Sequence, residues 1–440
     1  PAVTPPPHAM LVPSPCRRPR PWRSPLRVAA VCLLAAWGGS PRLFVAPSTA
    51  LAQQGPALRH ATVRRAGVPA VQGVISRLDA RALTVVSEPD QTLPLSDVVA
   101  VEFTDRPPQL PELSPLVELV NGDLLAARVI SADEEQLRVQ FTRLTQLPEL
   151  SIPLEALRSL ILAPPSDPAA RRELRRLLAR PRESDELLLA DGDSQAGDFS
   201  GLTSEAFLLG SGDTQQRVPK STVRAVGFNP ELANLPPLQG PGALVTLSDG
   251  SRFVATDCHW ENGESLACQP LFGGKLTIPA SAVSRLHFLG GRARWLSRLE
   301  PRAAQFDPYL SIDWPWHRDR NCLGEPLRLR GIDYPLGLGV HSRQSLVFDI
   351  APTDVTFQAT LGLDDSAGAR GAALFEVRVD GETRYRSPPL RGQMPPVVLE
   401  PIDVAGARTL ELLVDYGPAA DVLDHANWCE AVLIARPGKE

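Results

Sequence analysis

The chain has 440 residues, of which 43% are hydrophobic, so it is long enough to form several domains with apolar cores. Its 45 Pro and 32 Gly residues favour many short strands and turns over long helices. Because only 22% of the residues are charged and the net charge is −5, the composition excludes a broadly basic surface of the kind that binds nucleic acid.

Residues 1–52 have the pattern of a signal peptide with an N-terminal extension. Ten Arg and no acidic residue precede Asp79. Five of these Arg lie before the apolar run 28–37, which is too short to span a bilayer. Ala50-Leu51-Ala52 then provides a cleavage motif. We therefore predict export to the periplasm, the cell surface or the medium, with an uncleaved N-terminal anchor as the alternative. No transmembrane span is expected in the mature chain.

The middle of the chain contains a pattern that occurs four times and predicts a β repeat. Each occurrence has an aliphatic residue and a Pro, followed by apolar residues four, seven and nine positions after the Pro. These prolines are Pro94, Pro153, Pro219 and Pro279. The ninth positions, which we expect to occupy matching places in the core, are Phe103, Leu162, Phe228 and Phe288. Three occurrences also begin with a hairpin signal, whose turn glycines are Gly122, Gly192 and Gly250.

Each repeat has room for about five short strands, and a sheet of that size buries its apolar face by closing into a small SH3-like or Sm-like barrel. The predicted repeats occupy residues 62–104, 115–163, 185–229 and 242–291. Pro-rich links separate most of them. The link at residues 168–180 is different and predicts a short amphipathic helix.

Residues 303–438 alternate between strand-like runs and Asp, Gly or Pro turns, which predicts an antiparallel β-sandwich. Four motifs in this part, at residues 334–342, 357–365, 375–381 and 424–428, resemble the NPCBM/NEW2 family, a carbohydrate-binding module associated with family 98 glycoside hydrolases. The resemblance implies a galactose-binding-like jelly-roll sandwich that binds sugar through loops at one end. Asn427 and Cys429 stand where the family pattern has Asp and a small residue. The expected fold class of the whole chain is all-β.

A sugar site needs an aromatic face for the sugar ring and polar groups for its hydroxyls. Trp316 is predicted to supply the aromatic face, and four residues at predicted strand ends are predicted to bind hydroxyls: His341, Asp364, Asp365 and His425. Alternatives remain open at some of these positions. His341 could form hydrogen bonds within the sheet, and the Asp364-Asp365 pair could cap a turn or hold a structural calcium ion. Trp428 is interpreted as a core residue rather than a ligand.

Four cysteines follow the predicted signal peptide, which permits three pairings. Cys258 and Cys268 flank a hairpin signal, whereas Cys322 and Cys429 lie near the two ends of the predicted sandwich. We therefore predict the disulfides Cys258–Cys268 and Cys322–Cys429. Metal binding is the alternative, although the sequence has no C-x-x-C pair.

Enzyme signatures such as G-x-S-x-G, H-E-x-x-H and the P-loop do not occur in the sequence. The expected function is that of an exported, non-catalytic carbohydrate-binding protein, in which the repeats act as a spacer or docking array. The expected partner is a glycan, with galactose-containing glycans as candidates, and no nucleic acid. No cofactor is expected beyond the calcium ion already considered. The alternative is an envelope scaffold whose sandwich contacts protein partners and binds no sugar.

Overall fold

The computed structural model describes residues 59–438 except 104, 106, 107, 213, 214, 262, 310, 311 and 419. The predicted signal peptide, residues 1–52, lies outside the described residues. The protein is all-β, which confirms the expected fold class. Within the described part, the α-helix α1 (Pro168–Leu178) forms where the sequence predicts it, and no helix there is both long and apolar enough to cross a membrane.

The strands of the middle region fall into four successive groups. The first group contains β1 (His60–Arg65), β2 (Val68–Leu78), β3 (Ala82–Val86), β4 (Gln91–Pro94) and β5 (Val98–Glu102). The second contains β6 (Leu116–Leu119), β7 (Leu124–Leu125), β8 (Ala127–Ala132), β9 (Gln136–Phe141), β10 (Leu150–Pro153) and β11 (Leu157–Ile161). After α1, the third contains β12 (Glu186–Leu189), β13 (Ser194–Ala196), β14 (Phe199–Leu202), β15 (Ala206–Leu209), β16 (Gln216–Pro219) and β17 (Val223–Gly227). The fourth contains β18 (Gly242–Leu247), β19 (Arg252–Glu261), β20 (Ser265–Pro270), β21 (Leu276–Pro279) and β22 (Val283–Leu289). We call these groups copies 1 to 4.

Strand pairing follows the same order in all four copies. The first strand lies between the last strand and the second strand. In copies 2 and 3 the second strand is divided into two parts, β7 with β8 and β13 with β14, and the following two strands continue from the second part. In every copy the next-to-last strand ends at the repeated Pro, and a three-residue 3-10 turn leads into the last strand. Gly122, Gly192 and Gly250 have positive φ angles, as the hairpin turns require. The boundaries of the repeats stay predictions.

The copies join in pairs. Strand β5 of copy 1 pairs with β22 of copy 4, and β11 of copy 2 pairs with β17 of copy 3. Contacts between second strands, β2 with β19 and β8 with β14, reinforce both unions. An edge strand leaves backbone N–H and C=O groups without partners, so this pairing satisfies the last strand of each copy. We refer to the two unions as pair 1/4 and pair 2/3.

The C-terminal part is a sandwich of two antiparallel sheets. Its strands are β23 (Ala293–Trp295), β24 (Ala303–Phe306), β25 (His317–Arg318), β26 (Leu327–Leu329), β27 (Ile332–Tyr334), β28 (Gly337–Val340), β29 (Gln344–Asp349), β30 (Asp354–Leu363), β31 (Ala372–Val379), β32 (Glu382–Arg386), β33 (Leu390–Arg391), β34 (Val397–Val398), β35 (Ile402–Asp403), β36 (Thr409–Tyr416) and β37 (Ala426–Ala435). One sheet has the order β25-β28-β37-β30-β34 and the other β24-β29-β36-β31-β32. Trp428 is fully buried between them, with its ring 5.1 Å from that of Phe375. It is therefore a core residue.

A buried charge network fastens the sandwich to pair 1/4. Glu430 lies at a bulge in β37 and has a φ of 50°, so its side chain leaves the sandwich core. Its carboxylate is 3.0 Å from Nε2 of His287 in copy 4 and 2.7 Å from Nη2 of Arg64 in copy 1. Apolar side chains surround the network, including Val432 and Ile434 of the sandwich. The interface thus combines apolar packing with ionised groups that neutralise one another.

The structure contains neither predicted disulfide, because all four described cysteines carry free thiols. Burial raises the pKa of Cys268 to about 12, and burial also holds the pKa values of Cys258, Cys322 and Cys429 above the usual range. The neutral thiol is therefore favoured over the thiolate that disulfide exchange requires. Cys258 and Cys268 do lie on the paired strands β19 and β20, close to a bulge. Their linkage in the exported protein stays a prediction.

Candidate functional site

Two of the predicted site residues meet at one end of the sandwich. His341 directly follows β28, and His425 directly precedes β37. Because these strands are antiparallel neighbours, with Val340 opposite Ala426, the end of one lies beside the start of the other. The two imidazole centroids are 5.8 Å apart. Sequence positions separated by 84 residues are thereby brought into one cluster.

Trp314 completes this cluster, although the sequence analysis did not select it. Its ring stacks on His341 with a centroid distance of 4.5 Å and an interplanar angle of 7°, and it lies 5.9 Å from His425. Both histidines are buried, at 2% and 4% exposure, whereas Trp314 is half-buried. Its outer face is therefore the part available to a ligand. We call Trp314, His341 and His425 the aromatic cluster.

Hydrogen bonds fix both imidazole rings. Nδ1 of His341 is 2.9 Å from the carbonyl oxygen of Ser342, which can only accept, so Nδ1 carries the proton. Oγ of Ser366 donates to Asp364 at 2.6 Å and is 2.9 Å from Nδ1 of His425, so it accepts from that ring. Both histidines therefore present Nε2 as an acceptor. A hydrogen bond at Nδ1 restricts an imidazole ring to one tautomer and one orientation.

Burial also sets the charge of the aromatic cluster. It lowers the pKa of His425 to about 4, and the neighbouring imidazole of His341 and the guanidinium of Arg172 act in the same direction. Burial likewise lowers the pKa of His341. Both rings are consequently neutral at neutral pH. Beside them, burial raises the pKa of Asp424 to about 6, while Oγ of Ser342 donates to its carboxylate at 2.7 Å.

Asp364 holds the loops beneath the aromatic cluster. It is 2% exposed and accepts hydrogen bonds from Nδ2 of Asn321 at 2.9 Å, the backbone N–H of Arg328 at 3.0 Å and Nδ2 of Asn427 at 2.6 Å, besides Ser366. An Asp in place of Asn427 would put a second carboxylate within 2.6 Å of the carboxylate of Asp364. The amide at position 427 therefore suits a single buried acid at position 364.

Asp365 has a similar structural task at the surface. It accepts from the backbone N–H groups of Arg330, at 2.8 Å, and Gly331, at 2.7 Å. Asp364 also caps the 3-10 turn that begins at Asp365. These contacts favour the turn-cap interpretation of the two acids. In the part of the chain that the structure describes, no group of three or more His, Cys, Asp or Glu side chains is arranged to hold a metal ion.

Trp316 makes different contacts from those of Trp314. Its half-buried ring packs against the sandwich core, and the guanidinium of Arg318 lies 5.2 Å from the ring centroid. Trp314 and Trp316 belong to the same Pro-containing run, so no sequence signal distinguished them. An additional aromatic group flanks this run, since Tyr309 is 58% exposed and its ring lies 5.5 Å from that of Tyr416.

The aromatic cluster lies at one end of the antiparallel sandwich. Residues 292–434 match the family described as the NPCBM/NEW2 domain, which confirms the resemblance seen in the sequence. The match covers the C-terminal third of the chain, and the repeats remain outside it.

Individual relatives match parts of the chain. A segment of 108 residues is 32% identical to the "Putative endo-alpha-N-acetylgalactosaminidase" of Renibacterium salmoninarum, and it spans 24% of this chain but only 7% of that protein. Among solved structures, the CBM51 module from Clostridium perfringens GH95 in complex with methyl-galactose is 25% identical, with a TM-score of 0.30 over 32% of this chain and 99% of that one. The tandem CBM51 modules of Sp3GH98 from Streptococcus pneumoniae are 14% identical, with a TM-score of 0.29 over 57% and 88%.

Proposed function

We propose that the protein is an exported, non-catalytic carbohydrate-binding protein whose sandwich binds a glycan at the aromatic cluster. The half-buried ring of Trp314 carries this proposal, because it offers an apolar face at the loop end of an NPCBM/NEW2 domain. The module structure that contains methyl-galactose supports a galactose-containing glycan as the first ligand to test. Export is supported by the pattern of residues 1–52.

The chemistry of the cluster suits a neutral sugar. The C–H face of a pyranose stacks on the indole of Trp314, while His341 supports the opposite face of the indole. The Nε2 atoms of His341 and His425 are acceptors for hydroxyl groups at the edge of the site. One stacked ring and a few hydrogen bonds that exchange with water give about 4–6 kcal/mol, which corresponds to affinities of roughly millimolar to tens of micromolar.

The acids near the cluster support a binding role without catalysis. Glycoside hydrolysis uses two carboxyl groups about 5–10 Å apart, one on each side of the bond that is cut. Asp364 is buried and occupied by four hydrogen-bond donors, and Asn427 takes the place of a second acid beside it. Asp424 is buried beneath Ser342. The relative from Renibacterium salmoninarum has a hydrolase name, but this chain matches only 7% of that protein.

A glycan microarray with the full chain, followed by calorimetric titration of the best ligand, tests the proposal. Trp314→Ala should weaken binding at least about tenfold with little change in melting temperature, because the ring is only half-buried. Trp316→Ala is the matched control and should bind as the wild type does. A ligand that Trp314→Ala binds normally would move the site elsewhere, and loss of binding in Trp316→Ala alone would place it at Trp316. An array without any retained glycan would favour the scaffold alternative.

Mass spectrometry of the protein secreted by its native host tests export. A mature N-terminus near Gln53 is expected. Peptides from residues 28–49 in the mature product would instead indicate the uncleaved anchor.

A further inference from the structure

Pair 2/3 contains a groove of about 310 Å³ at the seam between its two copies. Leu154 and Leu157 of copy 2 form one wall, and Phe228 of copy 3 forms the other. Carboxylates of Glu134, Glu155 and Asp185 line the same groove. Leu232, which also lines it, is 65% exposed. The groove is thus both apolar and acidic.

Pair 1/4 has an equivalent seam, which backbone hydrogen bonds identify. The N–H of Phe103 donates to the carbonyl of Ser284 at 3.0 Å, and the N–H of Phe228 donates to the carbonyl of Arg158 at 3.0 Å. In both cases the donor is nine residues after the repeated Pro of its copy, and the acceptor is five residues after that of the partner copy. The groove residues Phe228, Leu154 and Leu157 therefore correspond to Phe103, Ala280 and Val283.

In pair 1/4 an arginine of the chain itself fills this place. The guanidinium carbon of Arg59 lies 4.4 Å from the ring centroid of Phe103. Its Nη1 donates to the carbonyl of Val283 at 2.6 Å and also to that of Ala280, while Nε donates to Asp105 at 3.0 Å. The seam of pair 1/4 is thus a guanidinium-binding site that is already occupied.

None of the described residues that line the groove of pair 2/3 is an arginine. Val63 is opposite Val101 in copy 1, and Leu187 is opposite Val226 in copy 3. Val101 and Val226 are both seven residues after the repeated Pro of their copy, so Val63 and Leu187 correspond. Four residues before them lie Arg59 and Glu183, which are therefore counterparts. Glu183 is exposed and has the opposite charge. The groove therefore keeps the aromatic ring and the two carbonyl positions, lacks the cation, and has gained carboxylates.

We propose that the groove of pair 2/3 binds an arginine side chain of a partner polypeptide. The guanidinium stacks over Phe228 and donates to the carbonyls of Leu154 and Leu157, as Arg59 does in pair 1/4. Glu134 and Glu155 attract the cation, and an apolar residue next to the partner arginine covers Leu232. Arginine is favoured over lysine, because a planar guanidinium can stack on a ring while donating in its own plane.

Ligand-observed NMR titration of the full chain with the peptides acetyl-Ala-Arg-Ala-amide and acetyl-Ala-Lys-Ala-amide tests this proposal. The wild type should bind the arginine peptide at about millimolar affinity and the lysine peptide about tenfold more weakly. Glu183→Arg should fill the groove from within and abolish arginine binding. Glu183→Gln removes the same charge without filling the groove and should bind within about twofold of the wild type.

Arg59→Ala provides the reciprocal test, because it opens the seam of pair 1/4 and should roughly double the binding capacity for the arginine peptide. If this variant fails to fold, the comparison of Glu183→Arg with Glu183→Gln still decides. Equal binding by those two variants, equal affinity for the two peptides, or no binding by the wild type would each overturn the proposal. Concentration-dependent self-association that Glu183→Arg abolishes would identify a second copy of this chain as the occupant and reject a separate partner.

Discussion

Pair 1/4 and pair 2/3 have the same strand pairing but differ in what occupies and surrounds their seams. The seam of pair 1/4 is closed by Arg59, and the pair is fastened to the sandwich through Glu430. The seam of pair 2/3 is an open groove, and helix α1 covers another face of this pair with Leu174 and Leu178. The backbone repeat therefore sets how copies join, whereas a few side chains decide whether the joint is filled or free to bind.

The largest loss of stability should follow removal of the buried carboxylate of Glu430, at the interface between the sandwich and pair 1/4. Glu430→Ala leaves His287 without its carboxylate and Arg64 with Glu102 alone, and it should cost about 3–5 kcal/mol of unfolding free energy. The matched change in pair 2/3 is Glu118→Ala. Its carboxylate pairs with Arg320 and, at 3.9 Å, with the half-exposed Arg158. Glu118→Ala should cost about 1–2 kcal/mol, because the side chain of Glu118 is 17% exposed, against 7% for Glu430. Urea denaturation measures both variants, and equal losses would show that the two pairs are anchored alike.

Truncation of the two corresponding Phe residues should distinguish the seams by a smaller margin. Phe103→Ala and Phe228→Ala should each cost about 3–5 kcal/mol, since both rings are buried. Each ring has one close aromatic neighbour, Trp260 at 5.4 Å from Phe103 and Phe199 at 5.6 Å from Phe228. The loss for Phe103 should still be larger by about 1 kcal/mol, because its ring also carries the guanidinium of Arg59. Thermal unfolding gives both values. A larger loss for Phe228 would contradict the assignment of an open groove in pair 2/3.

The smallest expected effect is on the pH dependence of stability, to which Glu430 and Asp185 should contribute in opposite directions. Burial raises the pKa of Glu430, but Arg64 and His287 outweigh burial and bring that pKa below the ordinary value of 4.5. Its stabilising contribution is therefore present above pH 4.5 and is lost as the pH falls further. Burial raises the pKa of Asp185 above 3.8, although two backbone N–H groups oppose the shift. At Asp185, stability is therefore lost as the pH rises through the raised pKa.

Chemical denaturation between pH 3 and pH 7 separates these two contributions. Glu430→Gln should flatten the loss of stability below pH 4.5, and Asp185→Asn should remove the opposing trend above pH 3.8. If Glu430→Gln kept the steep acid loss of the wild type, the carboxylate would not be ionised in the interface.

Local features of the fold were predictable, whereas contacts between distant segments were not. The repeated Pro, the turn glycines and α1 depend on neighbouring residues, so their patterns predicted them. The union of copy 1 with copy 4 joins β5 to β22 across two intervening copies, and no local pattern carries that information. The same limit applies to the candidate site. Strand ends indicated that His341 and His425 lie at one end of the sandwich, but the stacking of Trp314 on His341 depends on how a loop folds onto the sandwich.

The bulge at Glu430 also has a consequence for how this protein can be divided. The sandwich shares its buried charges with copies 1 and 4, so the unit that it forms with them is discontinuous in the chain. Copies 2 and 3 are, in effect, an insertion within that unit. An excised sandwich would expose an apolar face and carry an unpaired acid. Pair 2/3 is tied to the same unit, because the buried carboxylate of Asp123 accepts from the backbone N–H of Val254 at 3.0 Å and Glu118 forms an ion pair with Arg320. Transfer of the module to another protein therefore calls for the sandwich together with all four copies.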